Sequence, residues 1–445
     1  MARQTRRSAA AASAAARPPL GYVVRFHRGA AGTAIKRFEK DGVRVASSAD
    51  FRGAEAVPND FGGADVQYFE RFGIAVVREQ FDQVQAMLAP AIDDRMVANT
   101  RPERRFRALG MPDDGAMPSL AAPEESIDRA YLRGYRDAVN ELADRLLGMA
   151  DGGAPGDVEA AAADPSVTWG VRTIKAGQTR LSGAGIKVAV LDTGFDHRHP
   201  DFRGRRIVKK LFATRSSPDD THGHGTHCVG TACGPLKPSS GPRYGVAYGA
   251  EIYAGKVLGD DGFGTDRSII AGMDWAVAEG CAVISMSLGA QVGIGESPND
   301  DYEQIGQACL DAGSLVVAAA GNESERPGRI APIGSPANCP AILAVGAVDA
   351  AYRPARFSCG GLNTGQEVDL AAPGVNIHSA APGGGYATMS GTSMATPHVA
   401  GIAALIAECD PKYRGWALWA RLLQLVKPLR SPPRDVGKGF AQAPL

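Results

Sequence analysis

The chain has 445 residues, 44% hydrophobic and 22% charged, a globular composition long enough for two or three domains. Lys plus Arg and Asp plus Glu number 48 each, so the formal net charge is zero and offers no electrostatic footprint for nucleic acid or an anionic membrane. No stretch approaches the roughly 18 apolar residues of a membrane helix. The seven cysteines include no C-x-x-C pair, which argues against a zinc site or a dense disulfide framework; buried thiols are the plain reading, with one or two disulfides left open.

In chain order, residues 1–19 carry Arg3, Arg6 and Arg7, then Ala and Ser, then Pro18-Pro19. The run lacks the Leu, Val or Phe of a secretory h-region, so it reads as a disordered tail. The compartment is left open between cytoplasm, non-classical export and secretion. Residues 20–109 form a first unit. Tyr22–Phe26 reads as a strand, 33–40 as a helix, 43–47 as a strand, 68–77 as a strand rich in aromatic and β-branched residues, 81–88 as a helix, and 95–99 or 104–109 as a last strand. The order β-α-β-β-α-β fits a small α+β ferredoxin-like unit. Residues 110–165 hold a packing helix, with Ile127, Tyr131, Tyr135, Val139, Leu142 and Leu146 on one face, then an exposed linker, Asp151–Pro165.

From 166 to 445, apolar runs alternate with helical ones: 186–191, 252–258, 282–286 and 315–320 read as buried strands, 268–278 and 397–407 as helices. This pattern implies an α/β fold with a doubly wound, mostly parallel sheet, whose working groups collect at the strands' carboxyl ends. Four points there carry chemistry. Asp192-Thr193-Gly194 follows the first strand. One such triplet alone does not make an aspartic protease, which needs two carboxylates sharing a proton. Five of the eight histidines lie between His197 and His227, yet H-G-H-G-T-H lacks the spacing and complementary ligands of a zinc site; His224, at the start of a helical segment, reads better as a base. Asn322 follows an apolar run and is a candidate oxyanion donor. Ser393 sits where a loop becomes a helix, with Pro397 fitting that helix's first turn, so a dipole's positive end favours charge developing on a nearby oxygen.

Asp192, His224 and Ser393 occur in the order Asp…His…Ser. VAVLDTGFDHRHPDF, HGHGTHCVGT, SMSLG, VVAAAGNE, DLAAPG and GTSMATPHVAGIAALI occur in family order. The chain thus resembles the subtilase (subtilisin-like) family of serine endopeptidases from about Val167 to the C-terminus. The resemblance implies that Asp192 orients His224, that His224 acts as general base and then acid, that Ser393 is the nucleophile, and that Asn322 with the Ser393 backbone N–H holds the oxyanion. It implies that Gly262, Phe263 and Gly264 pair with an extended polypeptide substrate, that Ser287, Leu288 and Gly289 line its other side, and that Ala319 and Gly321, with Glu323, shape the primary pocket. Asp266 stands where many relatives carry a large residue. No cofactor is needed for the chemistry. Asp201 matches a calcium ligand of many subtilases, but the loop GPLKPSSGPRYG supplies no acidic or Asn partner, which weakens the case; a structural calcium is left open and no metal ligand is assigned.

The N-terminal unit resembles a subtilase prodomain, an intramolecular inhibitor, so the chain reads as a zymogen. The Asp151–Pro165 linker is the candidate maturation site. The alternative is a catalytically silent peptide-binding protein on the same scaffold.

Overall fold

The computed structural model describes residues 21–51, 63–78, 81–109, 111–112, 164–213 and 216–445. The tail 1–19, the packing helix and nearly all of the linker lie outside these residues. The described parts of 21–112 and 167–445 belong to one compact unit.

Alternation along the strands decides how the N-terminal part packs. It comprises β1 (Tyr22–Phe26), α1 (Ala31–Lys40), β2 (Val45–Ser47), β3 (Val66–Phe69), β4 (Ile74–Val77), α2 (Phe81–Asp93) and β5 (Val97–Pro102), with sheet order β2-β3-β4-β1-β5. Tyr22, Val24, Phe26, Ala75 and Val77 face one side and pack with Ile35, Phe38 and Leu88 of the two helices. Val23, Ile74 and Val76 face the other side and join Phe69, Phe72, Met273, Tyr302 and Ile305 in a second core. A period of two thus gives this sheet two buried faces, one closed by its own helices and the other by the catalytic part. The 68–77 run is not one strand. It folds back at Gly73, in the left-handed region at φ 61°, so β3 and β4 form an antiparallel hairpin. With that hairpin supplying the middle strands the sheet keeps ferredoxin-like order, and β2 is an added edge.

The 104–109 stretch also departs from expectation. β6 (Arg105–Ala108) leaves the N-terminal sheet and lies antiparallel between two strands of the catalytic part, while β7 (Met111–Pro112) pairs further along.

That catalytic part is built on β8 (Lys187–Asp192), β9 (Ile207–Leu211), α3 (His224–Cys233), β10 (Glu251–Lys256), β11 (Phe263–Thr265), α4 (Asp266–Ala278), β12 (Val283–Met286), β13 (Leu288–Gly289), α5 (Asp300–Asp311), β14 (Leu315–Ala319), β15 (Leu343–Val348), β16 (Leu370–Pro373), β17 (Ile377–Ala381), β18 (Gly385–Ser390) and α6 (Thr392–Cys409). Seven strands run parallel in the order β16-β15-β14-β12-β8-β10-β9. Val188, Val190, Val283 and Val317 point into the core shared with α3 and α6. Ala189, Leu191, Ile284 and Val316 point into the core with α4 and α5. Both faces are covered, as the continuous apolar runs require. From β8 the chain passes to the edge strand β9, returns to β10 between the two, then crosses β8 to β12 and proceeds the other way. The switch point therefore lies at the carboxyl ends of β8 and β12, where Asp192 and Ser287 stand. All seven cysteines are free, and all but Cys409 are buried.

Candidate active site

β8 carries Asp192 to the sheet edge, where it is fully buried. His224 Nδ1 lies 2.7 Å from Asp192 Oδ1, which also accepts the Thr193 N–H at 2.7 Å. Burial alone would push the imidazole pKa down, but the facing Asp192 carboxylate holds it well above its ordinary value. His224 opens α3 directly after Gly223. Next to it, Gly225 is obligatory for space: a Cβ there would stand 2.2 Å from the Gly194 carbonyl oxygen. One buried carboxylate fixes this junction. Asp220 accepts the backbone N–H groups of His222, Gly223 and Thr226 and the hydroxyls of Thr193 and Thr226, at 2.7–3.1 Å. It thereby ties the turn after Asp192 to the start of the His224 helix. Buried Lys256 adds a second tie, donating to the Thr193 and Asp219 carbonyls and to Asp260 Oδ1.

Ser393 is the second residue of α6, which starts at Thr392; Pro397 therefore lies inside the helix, not in its first turn. Pro397 has no N–H for the carbonyl four residues back, which is that of Ser393. The freed oxygen accepts the Ser287 hydroxyl at 2.8 Å and the Cys228 thiol at 3.5 Å. Cys228 Sγ also lies 3.9 Å from His224 Nδ1, so α3 and α6 meet at the site. The Ser393 hydroxyl itself donates to the Ser287 carbonyl at 3.0 Å, while His224 Nε2 is buried without a partner. Asp192 and His224 are thus joined, and the bond from Ser393 to His224 is unmade in this state.

Asn322 is oriented by Thr392, whose N–H and hydroxyl both donate to Asn322 Oδ1, at 2.9 and 2.8 Å. That leaves the amide N–H₂ aimed outward, and it donates to the carbonyl of Leu109. Leu109 belongs to the segment that fills the cleft. Arg105, Phe106 and Arg107 of β6 lie opposite Thr265, Gly264 and Phe263, and on the other side Arg107 and Ala108 lie opposite Gly289 and Leu288. Ala108 N donates to the Gly262 carbonyl at 3.0 Å and Leu109 N to the Ser287 carbonyl at 3.3 Å. Gly289 gives the Leu109 side chain room, because a Cβ there would stand 2.9 Å from Leu109 Cδ1 and push it aside. Beyond the cleft, Met111 and Pro112 lie opposite Ser390 and Met389 of β18. The six residues expected to flank a substrate therefore flank this segment. Ala319 and Gly321 stand behind it: the Gly321 N–H donates to the Thr392 hydroxyl at 3.2 Å, not to the segment. Glu323 accepts the Arg107 guanidinium at 2.9 Å and the Asn322 N–H at 2.8 Å.

Asp201 does not fit a calcium ion. Its oxygens accept the Ser239 N–H at 2.6 Å and the Tyr244 and Tyr386 hydroxyls at 2.7 and 3.0 Å, so its neighbours present hydrogens where a cation needs oxygen lone pairs. Burial would raise its pKa, and these donors together hold it below the ordinary value.

Residues 183–428 match the model of the subtilase family. The chain belongs to the subtilase family of serine endopeptidases. It is 42% identical to subtilisin BL of Lederbergia lenta over 251 residues, 56% of this chain and 87% of that protein. It is 41% identical to M-protease of Shouchella clausii (strain KSM-K16) over 260 residues, 58% of this chain and 64% of that protein. Against subtilisin E of Bacillus subtilis (strain 168) it is 40% identical over 251 residues, 56% of this chain and 63% of that protein.

Several residues of this subtilase site escaped the sequence reading. Asp220, two residues before the quoted HGHGTHCVGT, and Thr392, inside the quoted GTSMATPHVAGIAALI, announce no role, because acceptors and hydroxyls are common in turns. The pairing of β18 with residues 111–112 had no local signal at all.

Proposed function

We propose that the chain is a self-inhibited precursor that cuts itself between Leu109 and Gly110 and then hydrolyses polypeptides through Asp192, His224, Ser393 and Asn322. The observation that carries this is the Leu109 carbonyl, held by the Asn322 amide with the flanking backbone paired to both walls of the cleft. The Asp151–Pro165 linker lies almost wholly outside the described residues, and we propose the bond after Leu109 in its place as the maturation site.

The reaction starts when the Ser393 hydroxyl turns from the Ser287 carbonyl to His224 Nε2. As Oγ bonds to the Leu109 carbonyl carbon, its proton passes to Nε2, and Asp192 balances the imidazolium. Negative charge on the former carbonyl oxygen is taken by Asn322 and the positive end of α6. The C–N bond to Gly110 then breaks, His224 returns its proton to the departing amine, and Leu109 is left as an ester on Ser393. A water, deprotonated by His224, attacks the ester carbon, the bond to Ser393 Oγ breaks as His224 returns the proton to it, and the Leu109 carboxylate is released. Residues 21–109 then remain as a product-like inhibitor. No helix among the described residues is long and apolar enough to cross a membrane.

The test is the full-length chain, a fluorophosphonate probe, and mass analysis of the products. We expect labelling that disappears in Ser393→Ala, and a new N-terminus at Gly110. No labelling after cleavage or removal of the N-terminal part overturns the endopeptidase and favours the silent peptide-binding scaffold. A new N-terminus within 151–165 alone overturns the cleavage site.

A further inference from the structure

Two carboxylates of the catalytic part lie buried under the N-terminal part with one arginine between them. Asp266, the first residue of α4, is fully buried and gripped from Arg101 Nη1 at 2.7 Å and Nη2 at 3.1 Å, and it accepts the Arg104 N–H at 2.5 Å. Asp301, in the first turn of α5, is 1% exposed and accepts Arg101 Nε at 2.6 Å and Arg25 Nε at 3.1 Å. Beside them the Tyr302 hydroxyl is buried without a hydrogen-bond partner. Its ring meets Phe106 edge-on, with centroids 5.5 Å apart. Phe106 lies opposite Gly264 in the cleft and is three residues before Leu109, hence the fourth residue before the proposed cut. Tyr302 links the two places. Its ring touches the fourth side chain, and its hydroxyl is kept un-ionised by burial and by the charge of nearby Asp266.

Resting on the endopeptidase reading above, we infer that in the processed enzyme Asp266 and Asp301 end the pocket for the fourth residue before the cut and select Arg or Lys there. When residues 21–109 leave, Arg101 leaves with them. Two neighbouring carboxylates then face the vacated cleft without the arginines that paired them, and their joint negative potential favours a positive charge in that place. A long basic side chain entering along the path of Phe106, past the Tyr302 ring, returns it. In the intact chain Arg101 already supplies the cation, which explains why position 106 carries an uncharged ring: a basic residue there would compete for the same carboxylates.

The experiment uses enzyme processed from the full-length chain and the p-nitroanilides Xaa-Ala-Ala-Leu, with Arg, Lys, Ala, Phe or Glu as Xaa. We expect kcat/KM for Arg to exceed that for Ala about tenfold at low salt, as expected of a partly desolvated charge pair, with Glu the poorest. The Arg-to-Ala ratio should shrink in ~1 M NaCl and fall toward one in Asp266→Asn and Asp301→Asn. A wild-type series flat across Arg, Ala and Glu overturns the inference without reference to any variant, whether the carboxylates hydrate or take up calcium. No turnover of any member, with no fluorophosphonate labelling, instead overturns the endopeptidase reading.

Discussion

The two sheets of this molecule solve the same burial problem differently. The seven-stranded sheet covers both faces with helices of its own segment: one core is built from that segment alone, and N-terminal residues join the other only on the α4 and α5 side. The N-terminal sheet closes one face with α1 and α2 and leaves Val23, Ile74 and Val76 to be covered by the catalytic part. Each such side chain is worth about 1.5–3 kcal/mol when buried. Undocked, the smaller sheet loses that contribution and exposes an apolar face. The rim of its docking surface is charged, through Arg25, Arg71 and Arg101 on Asp300, Asp301, Asp274 and Asp266. A large apolar core gives a permanent fold, whereas one shared face with charged pairs gives the kind of attachment that the proposed cut after Leu109 would release.

The comparison breaks most visibly at the nucleophile. Ser393→Ala should remove about 10⁶ of kcat, a magnitude borrowed from subtilisin, and should leave the chain uncut by gel and mass analysis while both sheets stay folded. Next comes Arg101→Ala, which leaves Asp266 without a cation and Asp301 with Arg25 alone, and should weaken docking by about 3–5 kcal/mol. After processing, activity should then appear at far higher protein concentration than in wild type, with the melting of the catalytic part unchanged. An unaltered concentration dependence would show that the apolar face alone holds the N-terminal part. Asn322→Ala should cost about 10²–10³ in kcat with KM little changed, again the size known from subtilisin.

Self-cleavage should also depend on pH in a definite direction. The base form of His224 is the reactive one, and the Asp192 carboxylate raises its pKa well above 6.5 while the cleft is filled. Cleavage of the intact chain should therefore be slow near neutrality and quicken as pH rises, measured as the first-order rate of appearance of the fragment. A rate already maximal at pH 6.5 would contradict the geometry. The smallest effect belongs to the catalytic sheet alone. Asp201→Asn weakens charged hydrogen bonds from Tyr244, Tyr386 and Ser239, at about 1–3 kcal/mol. Because the folded-state pKa of Asp201 is lowered, its contribution is present above the ordinary carboxylate range and lost as pH falls through the folded value. A chelator should not reproduce that loss in the melting temperature. A calcium-dependent melting temperature abolished in Asp201→Asn would reverse this reading.

The chemistry of the site was legible because it is written in short motifs: Asp192 ends an apolar strand, His224 starts a helix after glycine, and Asn322 and Ser393 follow or precede apolar runs. The same holds for the parallel sheet, since strands buried on both faces must be continuously apolar. The turn at Gly73 was hidden inside a run of strand formers, and Pro397 looked like a helix start although the helix begins five residues earlier. Neither is decided locally. Gly73 turns because two faces must be buried in register, and Pro397 is tolerated because the Ser393 carbonyl it frees finds Ser287 and Cys228.

The amino-acid sequence by itself determined the fold class, the family and the residue types that carry the chemistry, because periodicity and motif spacing are local properties of the chain. Only the tertiary structure decided that residues 105–109 lie in the cleft, that Leu109 meets Asn322, and that Arg101 stands between Asp266 and Asp301. Those pairings join residues up to 213 positions apart, and their partners are chosen by how two separate sheets dock, a choice that no local pattern encodes.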